Sequence, residues 1–387
     1  MMRVAIDASN IRAGGGVTHL VECLGAYEPA QHDIGRVVVF GGAETLSRLP
    51  VRSWLDKKVP EHLKRGALSR FWWRQWSLTD DVARSADILL VPGGSYLKSF
   101  RPFVAMVQNL LPFDDFERSR EGITSKRLRL HLLESMQSRT FRQANGVIFM
   151  TEISRSHIEH RIGFHPKHAR VVHHGTNPRF FRPRRPQNPR ESFTDAAPFR
   201  LLYVSILEPY KHQDIVVEAV VSLRRGGVPV ALDLVGPGSP QDQAVLAAQL
   251  QRLDPRGAVV RYRGAIPYAE LSRAYAAADA FVFASSCETF GIILLEAMAG
   301  GLPIVCSHRS AMPEVVGTAA TFFDPLHAAS LATAIKRLVD DEGLRRNLSF
   351  QAQEQARLFT WEKCANETFG FVREIYDLYC SGRTATS

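Results

Sequence analysis

The sequence predicts an α/β protein built from two doubly wound domains, and three observations support this class. Short apolar runs alternate with amphipathic stretches along most of the chain, which is the pattern of repeated strand–helix units. Most of these runs lack polar alternation, as strands of a parallel sheet do when both of their faces are buried. The chain has 387 residues, which is long enough for two or three domains.

Each half of the chain contains a series of strand candidates separated by helical patterns. In the first half the strand candidates are Arg3–Ala8, Val37–Gly41, Ile88–Pro92, Phe103–Gln108, Gly146–Thr151 and Arg170–His173. In the second half they are Arg200–Leu207, Ala231–Val235, Val259–Tyr262, Ala280–Ala284, Pro303–Cys306 and Thr321–Phe323. Helical patterns include His212–Arg225, Glu270–Ala278 and Ala328–Asp340, and the first of these stops at paired glycines, a common helix end.

A compositional break separates the two halves. Arg182–Pro198 contains four prolines and four arginines and has no apolar period, so it is interpreted as a linker. We therefore expect a first domain over residues 1–182, a linker over 183–198, a second domain over 199–360, and a terminal helix over 361–387 that returns to the first domain.

Composition limits the classes of function. The formal net charge is +9, which fits nucleic acid, an anionic membrane or a phosphate-rich ligand. There is no zinc-finger spacing or RNP-type motif, so nucleic acid is not favoured. The five cysteines are scattered without a CxxC pair, which predicts free thiols in a reducing compartment and no metal site. The first residues do not have the pattern of a signal peptide, so a cytoplasmic location is expected.

The most informative segment is Cys287–Pro303, CETFGIILLEAMAGGLP. A helix that opens at Phe290 or Gly291 would present unpaired N–H groups and the positive end of its dipole, and both favour a diphosphate. Glu288 precedes this helix and can accept hydrogen bonds from sugar hydroxyls. Glu296 lies among apolar residues, where a carboxylate is costly to bury without a partner, and can accept hydrogen bonds from a ribose. Each glutamate alone would also fit an ordinary helix start or a solvated helix face.

This segment resembles the E-x7-E motif of retaining glycosyltransferases of the GT-B fold, family 4, also called group 1. Three other segments resemble that family in the same order, and the likeness covers essentially the whole chain: Gly146–Ile158, Val171–Phe181 and Ala311–Pro325. The resemblance implies two Rossmann-like domains facing across a cleft, with the acceptor side in the first domain and the nucleotide-sugar donor in the second.

The resemblance also implies roles for individual residues. Glu288 would be catalytic and would contact the donor sugar, and Glu296 would bind the ribose. Phe290, Gly291 and Ile292 would line the donor site, with backbone N–H groups supplied by the first two.

Lys211 is the second catalytic candidate. It follows a strand candidate in the stretch VSILEPYKH, where the family carries a lysine and an arginine that neutralise the donor pyrophosphate. Fixed cations there would stabilise charge on the leaving phosphate, whereas a solvated lysine at a helix start is disfavoured by the dipole. Lys211 matches the pattern, but Ile206 stands at the place of the arginine and Ser205 at the place of the preceding glycine. We expect Lys211 and Ser205 to bind the donor.

In the first domain, Ala13–Thr18 (AGGGVT) is expected to be a glycine loop before a helix, with Gly15 and Gly16 near a phosphate or sugar. A dinucleotide-binding G-x-G-x-x-G motif does not fit, because its third glycine position is His19. A plain flexible loop remains an alternative.

The acceptor-side candidates are Gln108, Asn109 and His174. Many family members have histidine at the place of Gln108, and glutamine can position a hydroxyl but cannot act as a base. His174 also fits the ordinary end of a strand.

Other sequence patterns bear on whether the protein binds a metal or a membrane. No D-x-D sequence occurs in the chain, so we expect donor binding without a metal and no cofactor. The stretches Lys57–Trp76 and Lys126–Arg142 are basic and rich in tryptophan or leucine. They fit either an interfacial helix on anionic lipid or core aromatics beside a solvated face. The first reading would place the protein on the inner face of the plasma membrane, with a polyprenyl-linked acceptor.

Together these observations predict a retaining, metal-independent hexosyltransferase. It would use GDP-mannose, UDP-glucose or a similar donor and a glycan or lipid-linked saccharide acceptor, in surface polysaccharide or lipopolysaccharide synthesis. The alternatives are a hydrolysing nucleotide-sugar epimerase, a non-catalytic nucleotide-sugar-binding protein and a basic nucleic-acid-binding protein.

Overall fold

The structure is a computed structural model that describes residues 1–61, 78–120, 122 and 124–384. These residues divide into two compact units. The first comprises the described residues of Met1–Arg118, Gly122–Gly175 and Thr360–Ser387, and the second those of Ser119–Glu121 and Thr176–Phe359. Most of the basic stretch Lys57–Trp76 lies outside the described residues.

The first unit is built on a seven-stranded parallel sheet with the order β3-β2-β1-β4-β5-β6-β7. Its strands are β1 (Met2–Ala8), β2 (Ile34–Gly41), β3 (Leu55–Lys58), β4 (Ile88–Val91), β5 (Phe103–Met106), β6 (Gly146–Phe149) and β7 (Ala169–Val171). From β1 the chain builds outward to one side, and from β4 it builds to the other. The order therefore reverses between β1 and β4, and a crevice forms at the carboxyl ends of strands at such a reversal.

The second unit repeats this arrangement with six parallel strands in the order β10-β9-β8-β11-β12-β13. The strands are β8 (Phe199–Val204), β9 (Val230–Val235), β10 (Val260–Tyr262), β11 (Ala280–Phe283), β12 (Ile304–Ser307) and β13 (Ala320–Phe323). Here the order reverses between β8 and β11. The α/β class with two doubly wound sheets is thus confirmed.

The helices alternate with the strands. Numbered through the described residues, they are α1 (Gly14–Ala26), α2 (Ala43–Ser47), α3 (Leu78–Ser85), α4 (Asp115–Arg120), α5 (Ser125–Gln143), α6 (Glu152–Ile162), α7 (Gln213–Arg225), α8 (Pro240–Leu253), α9 (Tyr268–Ala277), α10 (Ile292–Ala299), α11 (Met312–Val316), α12 (Ala328–Asp340), α13 (Glu342–Arg357) and α14 (Trp361–Thr384). None of the described helices is long and apolar enough to cross a membrane.

Helix α14 packs within the first unit. A Cβ atom at Gly146 would lie 2.8 Å from Ile375 and 2.9 Å from Phe371, so the glycine at the start of β6 allows the helix to lie close to the sheet. On another side, the ring centroids of Phe369 and Tyr27 are 3.8 Å apart in a stacked pair. The terminal helix is therefore held by both the sheet and the end of α1.

The proline-rich segment after the first sheet is irregular and packs on the second unit. The backbone N–H of Thr176 donates to the carbonyl of Phe359 at 3.0 Å. Further along, the guanidinium groups of Arg185 and Arg345 bond to carbonyls within the same unit. The division of the chain therefore falls at Gly175, earlier than residue 182 where the sequence places it.

Two local expectations differ from the structure. β3 is absent from the strand candidates because its sequence, LDKK, carries three charges in four residues. It lies at the edge of the sheet, where only one side is paired and charged side chains are tolerated. The glycines expected in a loop belong to α1, which starts at Gly14 with Ala13 as its N-cap. Glycine can adopt helical angles as well as loop angles, so composition alone does not locate the helix start.

Candidate functional site

Two loops of the second unit meet at the reversal of strand order. Lys211 ends a short 3-10 turn, Pro209–Lys211, after β8, and Glu288 lies between β11 and α10. Because β8 and β11 are paired neighbours and run parallel, their carboxyl ends lie at the same edge of the sheet. The two charged residues predicted from sequence are thereby brought together.

Lys211 and Glu288 form an ion pair between Nζ and Oε1. The lysine side chain is 9% exposed and the glutamate side chain 17%, so the pair is largely removed from water. The ammonium also lies 4.8 Å from the centroid of the Tyr210 ring, within the range of a cation–π contact. Taking two charges out of water is costly and is not in general repaid by their attraction, which makes this pair a candidate for function rather than for stability.

Hydrogen bonds fix the backbone on the glutamate side of the pair. The N–H of Glu288 donates to Ser310 Oγ at 3.0 Å, and the Ser310 hydroxyl donates to the carbonyl of Glu288 at 2.7 Å. Ser310 itself has a φ of 55°, an unusual conformation for a residue other than glycine. The loop that carries the carboxylate is therefore tied to the loop that follows β12.

Buried groups fix the loop that carries Lys211. Tyr203 in β8 donates its hydroxyl to the carbonyl of Lys211 at 2.6 Å. Burial, with the charge of Glu288 adding to it, raises the pKa of Tyr203 well above its ordinary value, so the phenol remains a donor. The next residue, His212, is 1% exposed, and its Nε2 lies 2.8 Å from Ser286 Oγ. These contacts join the loop after β8 to the loop after β11.

The start of α10 directly follows the loop after β11 and is capped by a glycine in the left-handed conformation. Gly291 is the N-cap, with a φ of 87°, a conformation that costs other residues energy. Ile292 is the first helical residue. Phe290 is 1% exposed, and its ring meets that of Phe359 edge-on with centroids 5.7 Å apart. An aromatic contact therefore fixes the residue before the N-cap, and the N-cap itself is a glycine without a side chain.

Ser205 and Ile206 follow β8 and differ in exposure. Ser205 is 5% exposed and Ile206 is 43% exposed. The Ser205 hydroxyl donates to the carbonyl of Ile206 at 3.1 Å. An apolar side chain thus projects toward solvent at the position where the resemblance implies an arginine.

Glu296 has protein partners of its own. Its carboxylate accepts hydrogen bonds from Tyr275 at 2.9 Å and from Tyr268 at 3.3 Å, and the residue is 5% exposed. Burial, with the glutamate charge contributing, raises the pKa of Tyr275 well above its usual range, so that hydroxyl stays protonated. The cost of burying this carboxylate is thereby offset within the unit, and its predicted ribose contact stays a prediction.

The candidates in the first unit are neutral. Gly15 and Gly16 lie in the first turn of α1, and a Cβ atom at Gly16 would lie 3.2 Å from Gln108 Oε1. The amide of Gln108 donates to Met106 Sδ at 3.3 Å, while Asn109 Oδ1 accepts from the N–H of Leu111 at 3.1 Å. The structure therefore brings Gly16 and Gln108 together at the ends of β1 and β5.

His174 is buried against another histidine. Its Nδ1 lies 3.0 Å from Nδ1 of His19, and the residue is 7% exposed. Burial and the neighbouring histidines hold the pKa of His174 well below its ordinary value. The side chain is therefore neutral at physiological pH, and its predicted acceptor-side role stays a prediction.

Comparison with known proteins identifies the family of the second unit. Residues 184–355 match the model of the family described as "Glycosyl transferases group 1". The second unit belongs to this family. The matched residues include Lys211, Glu288 and Glu296.

The curated relatives that this chain resembles are glycosyltransferases. It is 38% identical over 120 residues to O-antigen chain mannosyltransferase B of Escherichia coli, covering 31% of this chain and 32% of that protein. It is 31% identical over 248 residues to D-inositol 3-phosphate glycosyltransferase of a Nocardioides species, covering 59% and 54%. The chain thus spans about a third of the first relative and about half of the second.

A solved structure extends the likeness of fold to almost the whole chain. HepE from Anabaena, crystallised with UDP and glucose, superposes with a TM-score of 0.71 at 21% identity, over 96% of this chain and 99% of that one. The expected GT-B fold class is thereby confirmed.

Several contacts of this group 1 site escaped the sequence reasoning. Ser310 follows β12 and belongs to no recognisable motif, and no sequence pattern marks His212 or Ser286. The tyrosine partners of Glu296 are one residue pair that a pattern could have revealed. Tyr268 and Tyr275 are seven residues apart, so they lie on one face of α9, and an apolar helix carrying a buried glutamate requires such donors.

Proposed function

We propose that the protein is a retaining glycosyltransferase that moves a hexose from a UDP- or GDP-sugar to a hydroxyl of a glycan or lipid-linked saccharide, without a metal. The observation that carries the proposal is the buried Lys211–Glu288 pair at the reversal of strand order in the second unit. One partner is a cation suited to a diphosphate, and the other is a carboxylate suited to sugar hydroxyls.

In this proposal Lys211 and Glu288 each contact a different part of the donor. The Lys211 ammonium binds the diphosphate, and the N-terminus of α10 beside Gly291 offers further N–H groups to it. Glu288 accepts hydrogen bonds from hydroxyls of the sugar. When the donor binds, Lys211 exchanges Glu288 for the diphosphate, and Glu288 exchanges Lys211 for the sugar hydroxyls. The exchange is favourable because neither charge is left buried without a partner.

The proposed transfer takes place on one face of the sugar. The bond between the anomeric carbon and the phosphate oxygen breaks, and a bond to the acceptor oxygen forms on the same side. The acceptor proton passes to the departing phosphate, so a side-chain base is not needed, and Gln108 can orient the acceptor without titrating. Lys211 stabilises the negative charge that develops on the diphosphate, a contribution that fixed cations make without reorganisation.

The relatives support the class of donor and acceptor. The E. coli relative is named as a mannosyltransferase of the O-antigen chain, and the Anabaena structure contains UDP and glucose. A hexose donor and a surface polysaccharide acceptor are therefore the substrates we propose for this chain.

Contact with an anionic membrane is a further part of the proposal. Helix α5 exposes two leucines one turn apart, Leu128 at 62% and Leu132 at 58%. Arg129 and Arg139 on the same helix are also exposed. Apolar groups beside cations favour an acidic lipid surface, where a lipid-linked acceptor would be reached from the cytoplasmic side.

The test is a thermal-shift series with UDP, GDP, their common hexose conjugates and a nicotinamide dinucleotide, each with and without EDTA. We expect one nucleotide family to raise Tm by the same increment in both conditions. The matching sugar conjugate is then incubated with a polyprenyl-linked saccharide, and NMR reads the anomeric configuration of the product. No shift with any nucleotide sugar, a shift that EDTA abolishes, or an inverted product would contradict the proposal.

A further inference from the structure

Three metal-ligating side chains converge in the first unit, away from the charged pair. His19, His174 and Cys364 place one ligand atom each within 4.8 Å of one another. Among the residues that the structure describes, this is the one group of three or more His, Cys, Asp or Glu side chains found this close together. All three are buried, with exposures of 3%, 7% and 1%.

The ligands come from three different elements. His19 lies in α1, His174 follows β7, and Cys364 lies in the first turns of α14. The approach is close, because a Cβ atom at Gly175 would lie 2.2 Å from the backbone nitrogen of Trp361. The segment after β7 and the start of α14 are therefore in direct contact, and the three side chains are carried on backbone that packing holds in place.

The ligand atoms, all within 4.8 Å of one another, are close enough for side-chain rotations to bring them to the spacing of a tetrahedral zinc site. Zinc binds imidazole nitrogen at about 2.0–2.1 Å and thiolate at about 2.3 Å, so its donor atoms lie about 3.3–3.8 Å apart. The two Nδ1 atoms are 3.0 Å apart, and small side-chain shifts would seat a metal between them. In the metal-free form one ring donates to the other.

A second thiol lies near the three ligands. Cys23 is one turn after His19 on α1 and interacts electrostatically with Cys364. It is not among the side chains whose ligand atoms lie within 4.8 Å of one another, so its side chain would have to rotate toward the metal to complete the set. Two imidazoles and two thiolates make the closed ligand set of a structural zinc site. Sequence spacing did not reveal it, because the four positions are spread from residue 19 to residue 364.

We propose that His19, His174, Cys364 and Cys23 bind one Zn²⁺ that fastens the terminal helix to α1. On binding, the Nδ1 lone pair of each histidine coordinates the metal. The ring that carried its proton at Nδ1 then carries it at Nε2 instead, and the thiol protons pass to solvent. This proposal does not depend on the proposed function.

Cobalt reports the site directly. The full-length, reduced and chelator-stripped protein is titrated with Co²⁺ and followed by absorption, in which thiolate–cobalt charge transfer and intense tetrahedral d–d bands identify the ligands. We expect saturation at one Co²⁺ per chain and displacement by Zn²⁺. Zn²⁺ should also raise Tm, because a ligand that binds only the folded state stabilises it.

Variants separate this site from adventitious binding. Cys364→Ser and His174→Asn should weaken Co²⁺ affinity by at least about tenfold, since even outer-shell partners of a metal act in that range. Cys380→Ser is the matched control, because it removes an exposed thiol of the same helix and should bind as the unaltered chain does. Circular dichroism verifies that each variant is folded.

Two outcomes overturn the proposal. One is an unaltered chain that develops no charge-transfer band. The other is a spectrum and affinity that Cys364→Ser and His174→Asn leave unchanged. If both variants fail to fold, the spectrum and stoichiometry of the unaltered chain decide the question alone.

Discussion

The two units share a strand order around their centres but differ in what stands at the carboxyl ends of those strands. In the second unit, the reversal between β8 and β11 carries a buried ion pair, Lys211 with Glu288. In the first unit, the ends of β1 and β5 carry Gly16 and the uncharged amide of Gln108. The carboxyl ends of one sheet thus carry charged side chains, and those of the other carry neutral hydrogen-bonding groups.

This difference teaches that topology supplies the place for a ligand, whereas side chains decide which ligand binds. A diphosphate needs fixed positive charge, and of the two sets of candidates described above only that of the second unit contains a lysine or arginine. An acceptor saccharide can be held by neutral hydrogen-bonding groups beside closely approaching backbone, as we propose for Gln108 and Gly16. Each half of the comparison can be broken by substitution.

The largest effect is expected from the ion pair. Removing one partner leaves a buried charge uncompensated and costs about 3–5 kcal/mol of folding free energy. Glu288→Ala should also lower the transfer rate by about 10²–10³-fold while changing nucleotide affinity little, whereas Lys211→Ala should weaken both. Transfer rates and calorimetric binding of UDP or GDP measure the two quantities.

The double variant Lys211→Met with Glu288→Leu separates function from stability. It removes both charges, so Tm should recover toward that of the unaltered chain while transfer stays absent. The control is the exposed pair Arg261–Asp233, whose double replacement by alanine should leave transfer unchanged. Wild-type transfer by the Lys211→Met, Glu288→Leu protein would remove the pair from the mechanism.

The next effect concerns the glycine that opens α10. Gly291 has a φ of 87°, so Gly291→Ala should cost about 1–2 kcal/mol in backbone strain and hinder approach of the diphosphate. Gly227 is a matched control, with a φ of 81° and nothing within 4 Å of an added Cβ. Both variants should lose stability in urea unfolding, Gly291→Ala somewhat more because its added Cβ would lie 3.3 Å from Leu294 Cδ1. Only Gly291→Ala should lose nucleotide affinity. Equal nucleotide affinities would show that the helix start does not contact the donor.

The sequence predicts the structure well where the residues of one continuous segment are enough to define an element. Strand positions followed from continuous apolar runs, and Lys211 and Glu288 were located because each follows a buried strand of a parallel sheet. The edge strand β3 was not predicted, since its residues are charged and its pairing with β2 is a tertiary contact. The spacing of Tyr268 and Tyr275 marks the donors to Glu296, whereas the His19–His174 contact joins positions that are far apart in sequence and come together only on folding.

The smallest effect is expected in the first unit. A Cβ atom at Gly16 would lie 3.2 Å from Gln108 Oε1, which is tight enough to displace the amide by a few tenths of an ångström. Gly16→Ala should therefore raise the acceptor KM by a small factor and leave the donor KM unchanged, because the donor charges are carried by the other unit. Gly25→Ala on the same helix meets nothing within 4 Å and should change neither constant. An altered donor KM in Gly16→Ala would mean that the glycine turn contacts the nucleotide sugar, and the division of labour between the two sheet edges would then have to be redrawn.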